Sequence, residues 1–198
     1  MRPRPYISYS QLMAWEKSPQ AYKEVYLEGR KMGTNRGQAL GKEIAEALEN
    51  DEDTGDAIKD LVIAQIPKME IRDKEIHVVM GKGEDEVPIL IKPDLCREDY
   101  SEFIEIKTGL EGNWNQGKVD KDDQITFYTS GIYFLTNKIP TSELIHAPTK
   151  QDEFGRPSLT GEIKRYPTKR KHLDIIKIMV RIKRAWVEIG QMCDKELL

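Results

Sequence analysis

One stretch constrains this chain more than any other: Val87-Pro-Ile-Leu-Ile91, then Pro93-Asp94, then Phe103-Ile-Glu105-Ile-Lys107. The first run is apolar and β-branched, and Pro93 ends it because proline cannot donate to a strand ladder. The second run alternates, so Phe103 and Glu105 share one side and Ile104 and Ile106 the other. Lys107 returns to the side of Glu105. If the two runs pair as a hairpin through a polar turn at Arg97–Ser101, Asp94 approaches Glu105 and Lys107 at one sheet edge.

Two carboxylates and an ammonium have a chemical use together. Carboxylate oxygens suit a hard cation such as Mg²⁺, which keeps several waters and binds phosphate oxygens. A neighbouring Lys can position an attacking water or neutralise charge on a pentacovalent phosphorus. A plain surface hairpin with an ordinary ion pair is the competing reading, because 33% of the 198 residues are charged.

The bulk properties leave room for either. A chain of 198 residues can bury a core without disulfides, and Cys96 and Cys193 are too few for a disulfide framework or a four-thiolate metal cluster. A reducing cytoplasm is expected. The opening residues lack the apolar core of a signal peptide, and no apolar run reaches membrane-spanning length. The net charge of −3 does not advertise nucleic-acid binding, but charge is unevenly distributed. Lys164, Arg165, Lys169, Arg170, Lys171, Lys177, Arg181, Lys183 and Arg184 fall in one stretch with Asp174 as the local acid. That stretch reads either as a solvated helix face or as a phosphate-contacting surface.

The rest of the chain supplies a frame. Ser10 and the Ser18-Pro19 pair are candidate N-caps for two short helices, the second ending at Gly29. Tyr and Trp in this region are packing residues first and base-stacking candidates second. Leu40, Ile44, Ala47 and Leu48 give a helical period over Arg36–Asn50, and Thr54 could cap a helix over Asp56–Gln65. Strands are expected at Met69–Ile71, Glu75–Met80 and Val87–Ile91, with a turn at Gly81–Gly83. A polar loop at Gly109–Gly117 leads into a helix over Asp120–Leu135, where Asp120, Asp122 and Asp123 suit the positive end of the helix dipole. Strands at Glu143–Ala147 and Glu162–Tyr166 precede a closing helix, His172–Glu196. His77, His146 and His172 lack metal-ligand spacing. The whole reads as a single α/β domain over residues 1–198: a helical part at 6–66, a core at 67–166 and a basic helix at 169–196.

Pro93-Asp94 followed by Glu105-Ile-Lys107, within strands of this order, resembles the PD-(D/E)XK nuclease superfamily. Two more stretches resemble its RecB-like exonuclease branch, which includes nucleases linked to CRISPR adaptation and many phage proteins. Gln124-Ile-Thr-Phe-Tyr128 looks like the branch's Q-x-x-x-Y motif, and Gly41–Glu49 looks like its G-x-x-x-H-x-x-L-E motif. Ile7–Ser10 through Ser18-Pro19 and Tyr22 also resemble its N-terminal region.

The resemblance implies a restriction-endonuclease-like core (αβββαβ), with a central mixed, mainly antiparallel sheet flanked by helices. It implies Mg²⁺ or Mn²⁺ held by Asp94, Glu105 and the Ile106 carbonyl, with Glu49 approaching directly or through water. Lys107 would position the water, Gln124 and Tyr128 would contact DNA or hold the hairpin, and Lys169, Arg170 and Lys171 would contact phosphates. The activity implied is DNA hydrolysis, from ends or on single strands, with a protein partner or homo-oligomer as an option. Two departures stand out: Ala45 occupies the place of the branch's metal-binding His, and Ser18 that of a cluster cysteine, so no iron–sulfur cluster is expected. The second reading is a decayed nuclease-fold subunit that binds DNA within a recombination or CRISPR-linked complex.

Overall fold

The computed structural model describes residues 3–31, 36–50, 52–151 and 153–195. β1 (Ile7–Ser8) runs into α1 (Tyr9–Lys17) and α2 (Pro19–Tyr22), which continues as a π-helical turn over Lys23–Leu27. α3 (Arg36–Asn50) and α4 (Ala57–Ala64) precede β2 (Ile71–Arg72), β3 (Ile76–Met80), β4 (Val87–Ile91), β5 (Leu95–Cys96) and β6 (Glu102–Leu110). α5 (Gln116–Val119) and α6 (Asp123–Thr136) lead to β7 (Thr141–Gln151), β8 (Pro157–Leu159), β9 (Lys164–Thr168) and α7 (His172–Lys195). The expected end of the last helix, at Glu196, lies outside the described residues.

Side-chain oxygens set the helix starts. Ser18 accepts from the N–H groups of Gln20 and Ala21, with Pro19 at the first helical position, as the sequence suggests. Two caps fall elsewhere than expected. Ser8 caps α1 in place of Ser10, because β1 ends there and the chain turns directly into the helix. Asp56 caps α4 in place of Thr54, whose hydroxyl donates to Asp60 at 2.7 Å.

The mixed α/β class holds, with antiparallel pairs predominating, but the strands divide into two sheets. The main sheet runs β2-β5-β6-β7-β8, with β9 also on β7; the smaller runs β1-β4-β3. The expected hairpin is therefore corrected. β4 pairs with β3 and β1 rather than with β6, and the chain breaks at Lys92–Asp94 before Leu95 and Cys96 pair with Ile104 and Phe103. Pro93, which has no N–H, makes that break. β6 and β7 then pair in parallel from Glu102↔Thr141 to Leu110↔Thr149, with α5 and α6 as the crossover. Pro157–Leu159 is a further strand because it folds back antiparallel on Thr149–Gln151.

Alternation along β6 divides the core. Phe103 joins a cluster with Ile7, Leu12, Ile89, Ile125, Phe127 and Ile182, drawn from α1, α6, α7 and the smaller sheet. Ile104 joins Leu40, Ile44, Val62 and Leu95 under α3 and α4. On α7 the deeply buried stripe is Ile175, Ile178, Ile182, Ala185, Ile189 and Cys193, while Met179 and Trp186 sit at its margin. α6 lies very close to β4: a Cβ on Gly131 would stand 2.7 Å from Ile91 Cγ2.

Arg170 is buried, at 4% exposure. It donates to Thr126 (2.7 Å), Thr168 (2.8 Å) and the carbonyls of Val119 and Asp122 (both 2.9 Å). It thereby fixes the turn that starts α6, and its burial corrects its expected contact with DNA. Arg170→Ala removes four hydrogen bonds, although each acceptor keeps another partner, and should lower stability by about 3 kcal/mol in denaturant unfolding. A loss below about 1 kcal/mol would contradict that role.

Candidate active site

The break after β4 delivers Asp94 to the edge of β6. Its Oδ2 accepts from the Ile106 N–H at 2.6 Å. Glu105 and Lys107, two apart on β6, project together toward α6, and Lys107 Nζ donates to Glu105 Oε1 at 2.5 Å. Gln124, on the first turn of α6, completes the group. Its Oε1 accepts from Lys107 at 2.9 Å, and its Nε2 donates to Glu105 Oε1 at 2.7 Å and to the Tyr128 hydroxyl at 2.9 Å. Asp122 positions this turn by capping α6 through the Ile125 N–H. The five residues Asp94, Glu105, Lys107, Gln124 and Tyr128, separated in sequence, meet at one place.

Asp94, Glu105 and Lys107 line an open cleft of about 810 Å³; Gln124 and Tyr128 are hydrogen-bonded into the group but do not line it. Gly41, Lys42 and Ala45 of α3 line one wall, and Thr149, Gln151, Gly155 and Pro157 of the β7–β8 hairpin line the far end. α3 comes close because Gly41 has no side chain: a Cβ there would stand 3.1 Å from Thr108 Oγ1. Ala45 thus faces the site without offering it a ligand.

The site is electrostatically tense. Glu105 is 2% exposed, and its Oε2 is buried without a hydrogen-bond partner. Burial, then the charge of Asp94, push its carboxyl up to about 8, against the pull of Lys107. Burial likewise raises Asp94, opposed by its bond from Ile106. Burial works to lower Lys107, but attraction and hydrogen bonding to Glu105 outweigh it and the ammonium is held above its ordinary value. Burial and Glu105 raise the Tyr128 phenol.

An orphaned, buried carboxylate oxygen beside a second carboxylate fits a divalent cation. Asp94, Glu105 and the Ile106 carbonyl are the donors at hand. Among the described residues no group of three or more His, Cys, Asp or Glu is arranged to hold a metal, so solvent would fill the remaining positions. Glu49 does not line the cleft; it is exposed, and its charge acts on Lys92, which pairs with Asp73 at 2.8 Å.

The basic stretch is largely neutralised by acids from elsewhere. Lys164 pairs with Glu111 (2.7 Å), Arg165 with Glu143, Arg181 with Glu16 (2.6 Å) and Asp123 (2.8 Å), Lys183 with Asp85 (2.5 Å), and Arg184 with Glu188 (2.8 Å). Lys169 and Lys171 are exposed but do not line the cleft. His77 meets Tyr6 edge-on at the surface and His172 meets Tyr133, while buried His146 contacts the Gly109 carbonyl at 3.1 Å.

Sequence reasoning missed Tyr9. Burial, then Asp122 and Asp123, push its phenol up to about 12, while Lys107 pulls the other way, so it lies within the field of the site. It lies inside the Ile7–Ser10 stretch, but nothing there singles it out; its proximity arises from α1 packing on α6, where Tyr9 meets Phe127 at 6.0 Å.

No family model matches the chain, and no curated protein matches it in sequence. Solved structures do match. A provisionally assigned exonuclease from Eubacterium rectale aligns with a TM-score of 0.60 at 10% identity, over 97% of this chain and 82% of that one. A phage related exonuclease from Haemophilus somnus 129PT aligns at 0.57 and 12% identity, over 94% and 83%. LHK-Exo in complex with dAMP aligns at 0.53 and 11% identity, over 98% and 92%. At such identities the likeness establishes a shared fold, the α/β fold of these exonuclease structures.

Proposed function

We propose that this chain is a metal-dependent DNA nuclease, an exonuclease acting on DNA ends or single strands. The observation that carries the reading is the buried, unpartnered Glu105 Oε2 beside Asp94 and Lys107 at the end of an open cleft. A shared fold alone would not carry it.

Asp94, Glu105 and the Ile106 carbonyl would hold Mg²⁺ or Mn²⁺, which when bound activates water and offsets charge on the phosphate. Lys107 donates from a fixed position toward the reacting phosphate and balances the two carboxylates. Gln124 fixes Lys107 and Glu105 at once, and Tyr128 holds Gln124 from one turn further along α6. Lys42, on the opposite wall and in an exposed pair with Glu46 at 3.2 Å, is the cleft-lining ammonium that could turn to the substrate backbone. Among the described residues no helix is long and apolar enough to cross a membrane.

A DNA-binding subunit without catalysis is the second reading, favoured by Ala45, which faces the site from α3 and offers it no ligand. Titration with Mg²⁺ and Mn²⁺ separates the two. A nuclease shortens labelled DNA only with metal and stops in chelator; a binding subunit retains DNA equally in both and never shortens it.

A further inference from the structure

α7 is apolar on two sides. Its inner stripe, from Ile175 to Cys193, packs into the core. A second row, Leu173, Ile176, Val180 and Val187, lies about half a turn round the helix from the first and stands in water, each side chain between 44% and 64% exposed. A surface helix ordinarily turns polar residues to solvent, so four large aliphatic side chains in one outer row mark an interaction face. The row is spaced by three, four and seven residues, the a and d spacing of a seam that packs on another helix. The ground beside Val180 is recessed. One hollow of about 370 Å³ lies between Ile176, Val180 and the turn at Gly81 and Lys82, and another of about 500 Å³ reaches from Val180 to Val187. No residue of α7 lines the cleft of Asp94, Glu105 and Lys107.

Charge selects the occupant. Lys82 stands at one edge of the row and Lys177 at the other, both exposed and without an ion pair among the described residues. Lys183 takes the place in the row between Val180 and Val187, and Asp85 holds it at 2.5 Å. A second copy of α7 fits this face poorly: packed antiparallel about Val180 it sets Lys177 against Lys183, and packed parallel it sets Lys177 against itself. A lipid surface fits poorly too, because the row is one seam wide and the Lys183–Asp85 pair interrupts it. We propose that the outer face of α7 docks an amphipathic helix of another protein, one whose apolar seam is flanked by acidic residues. The inference goes beyond the nuclease reading and does not depend on it.

The test titrates the protein into a labelled, helix-stapled peptide with Leu at its a and d positions and Glu at the flanking positions, beside the same peptide with Lys at the flanks. The Glu-flanked peptide should bind saturably, and the Lys-flanked one about tenfold more weakly or worse. Val180→Asp should weaken binding of the Glu-flanked peptide about tenfold or more while denaturant unfolding stays unchanged, since the side chain is in water. Lys82→Glu combined with Lys177→Glu should reverse the preference between the two peptides. Failure to bind the Glu-flanked peptide, equal binding of both, or binding indifferent to Val180→Asp overturns the proposal. So does a wild-type dimer in sedimentation that Val180→Asp dissociates, which would make the occupant a second copy. Flotation with phosphatidylserine vesicles that the same variant abolishes would overturn it in favour of a lipid surface.

Discussion

Lys107→Ala is expected to lower the rate of DNA cleavage on the order of a thousandfold, with binding in chelator changed by no more than about threefold. Removing one preorganised cationic donor from where charge develops costs on this scale. Binding should survive because the Lys107 ammonium is already engaged by Glu105 and Gln124, so it contributes little to the field that attracts the substrate. Gln124 should keep Glu105 in place through its Nε2. Single-turnover cleavage beside anisotropy binding is the check. A variant that cleaves within tenfold of wild type would remove Lys107 from the mechanism, and one that loses both activities would make it structural.

Glu105→Gln should abolish metal-dependent cleavage and also remove a pH trend in stability. Glu105 titrates near 8 in the folded protein and near 4.5 as an ordinary carboxyl, so the folded chain holds its proton over that interval. The unfolded state therefore binds fewer protons, and the metal-free protein loses stability as pH rises from about 4.5 to 8. The loss should amount to a few kcal/mol at pH 8. Mg²⁺ or Mn²⁺ should restore it by replacing the proton with a cation. In Glu105→Gln both the slope and the metal rescue should flatten. Denaturant unfolding at pH 5 and pH 8.5, with metal and with chelator, reads all four quantities. A wild-type protein equally stable at both pH values without metal would contradict the strained carboxylate.

Much of the site was legible because it depends on short-range rules. The period-two alternation of β6 puts Glu105 with Lys107, and Pro93 marks the point where the strand must break; Gln124 and Tyr128 were legible only through the motif they resemble. What the break does was less legible. A strand that ends at Ile91 and resumes at Leu95 belongs to two sheets, and only tertiary packing decides that β4 takes β1 and β3 as partners. The basic stretch misled for the same reason. Counted locally it faces Asp174 alone, but Glu16, Asp85, Glu111, Asp123 and Glu143 arrive from distant elements to pair with it. Arg170 gives no sign in the sequence that it will be buried among Thr126, Thr168 and two carbonyls. Ala45 was legible as a departure, and its place on the cleft wall gives that departure a physical meaning.

The most direct measurement is cleavage of end-labelled linear and closed circular single-stranded DNA with Mg²⁺ or Mn²⁺, for wild type and Asp94→Ala. The account predicts that the wild type degrades the linear strand with metal and leaves the circle intact, and that Asp94→Ala degrades neither strand. Cutting of the circle would contradict the exonuclease assignment. An intact linear strand with either metal, or full activity in Asp94→Ala, would contradict the site itself.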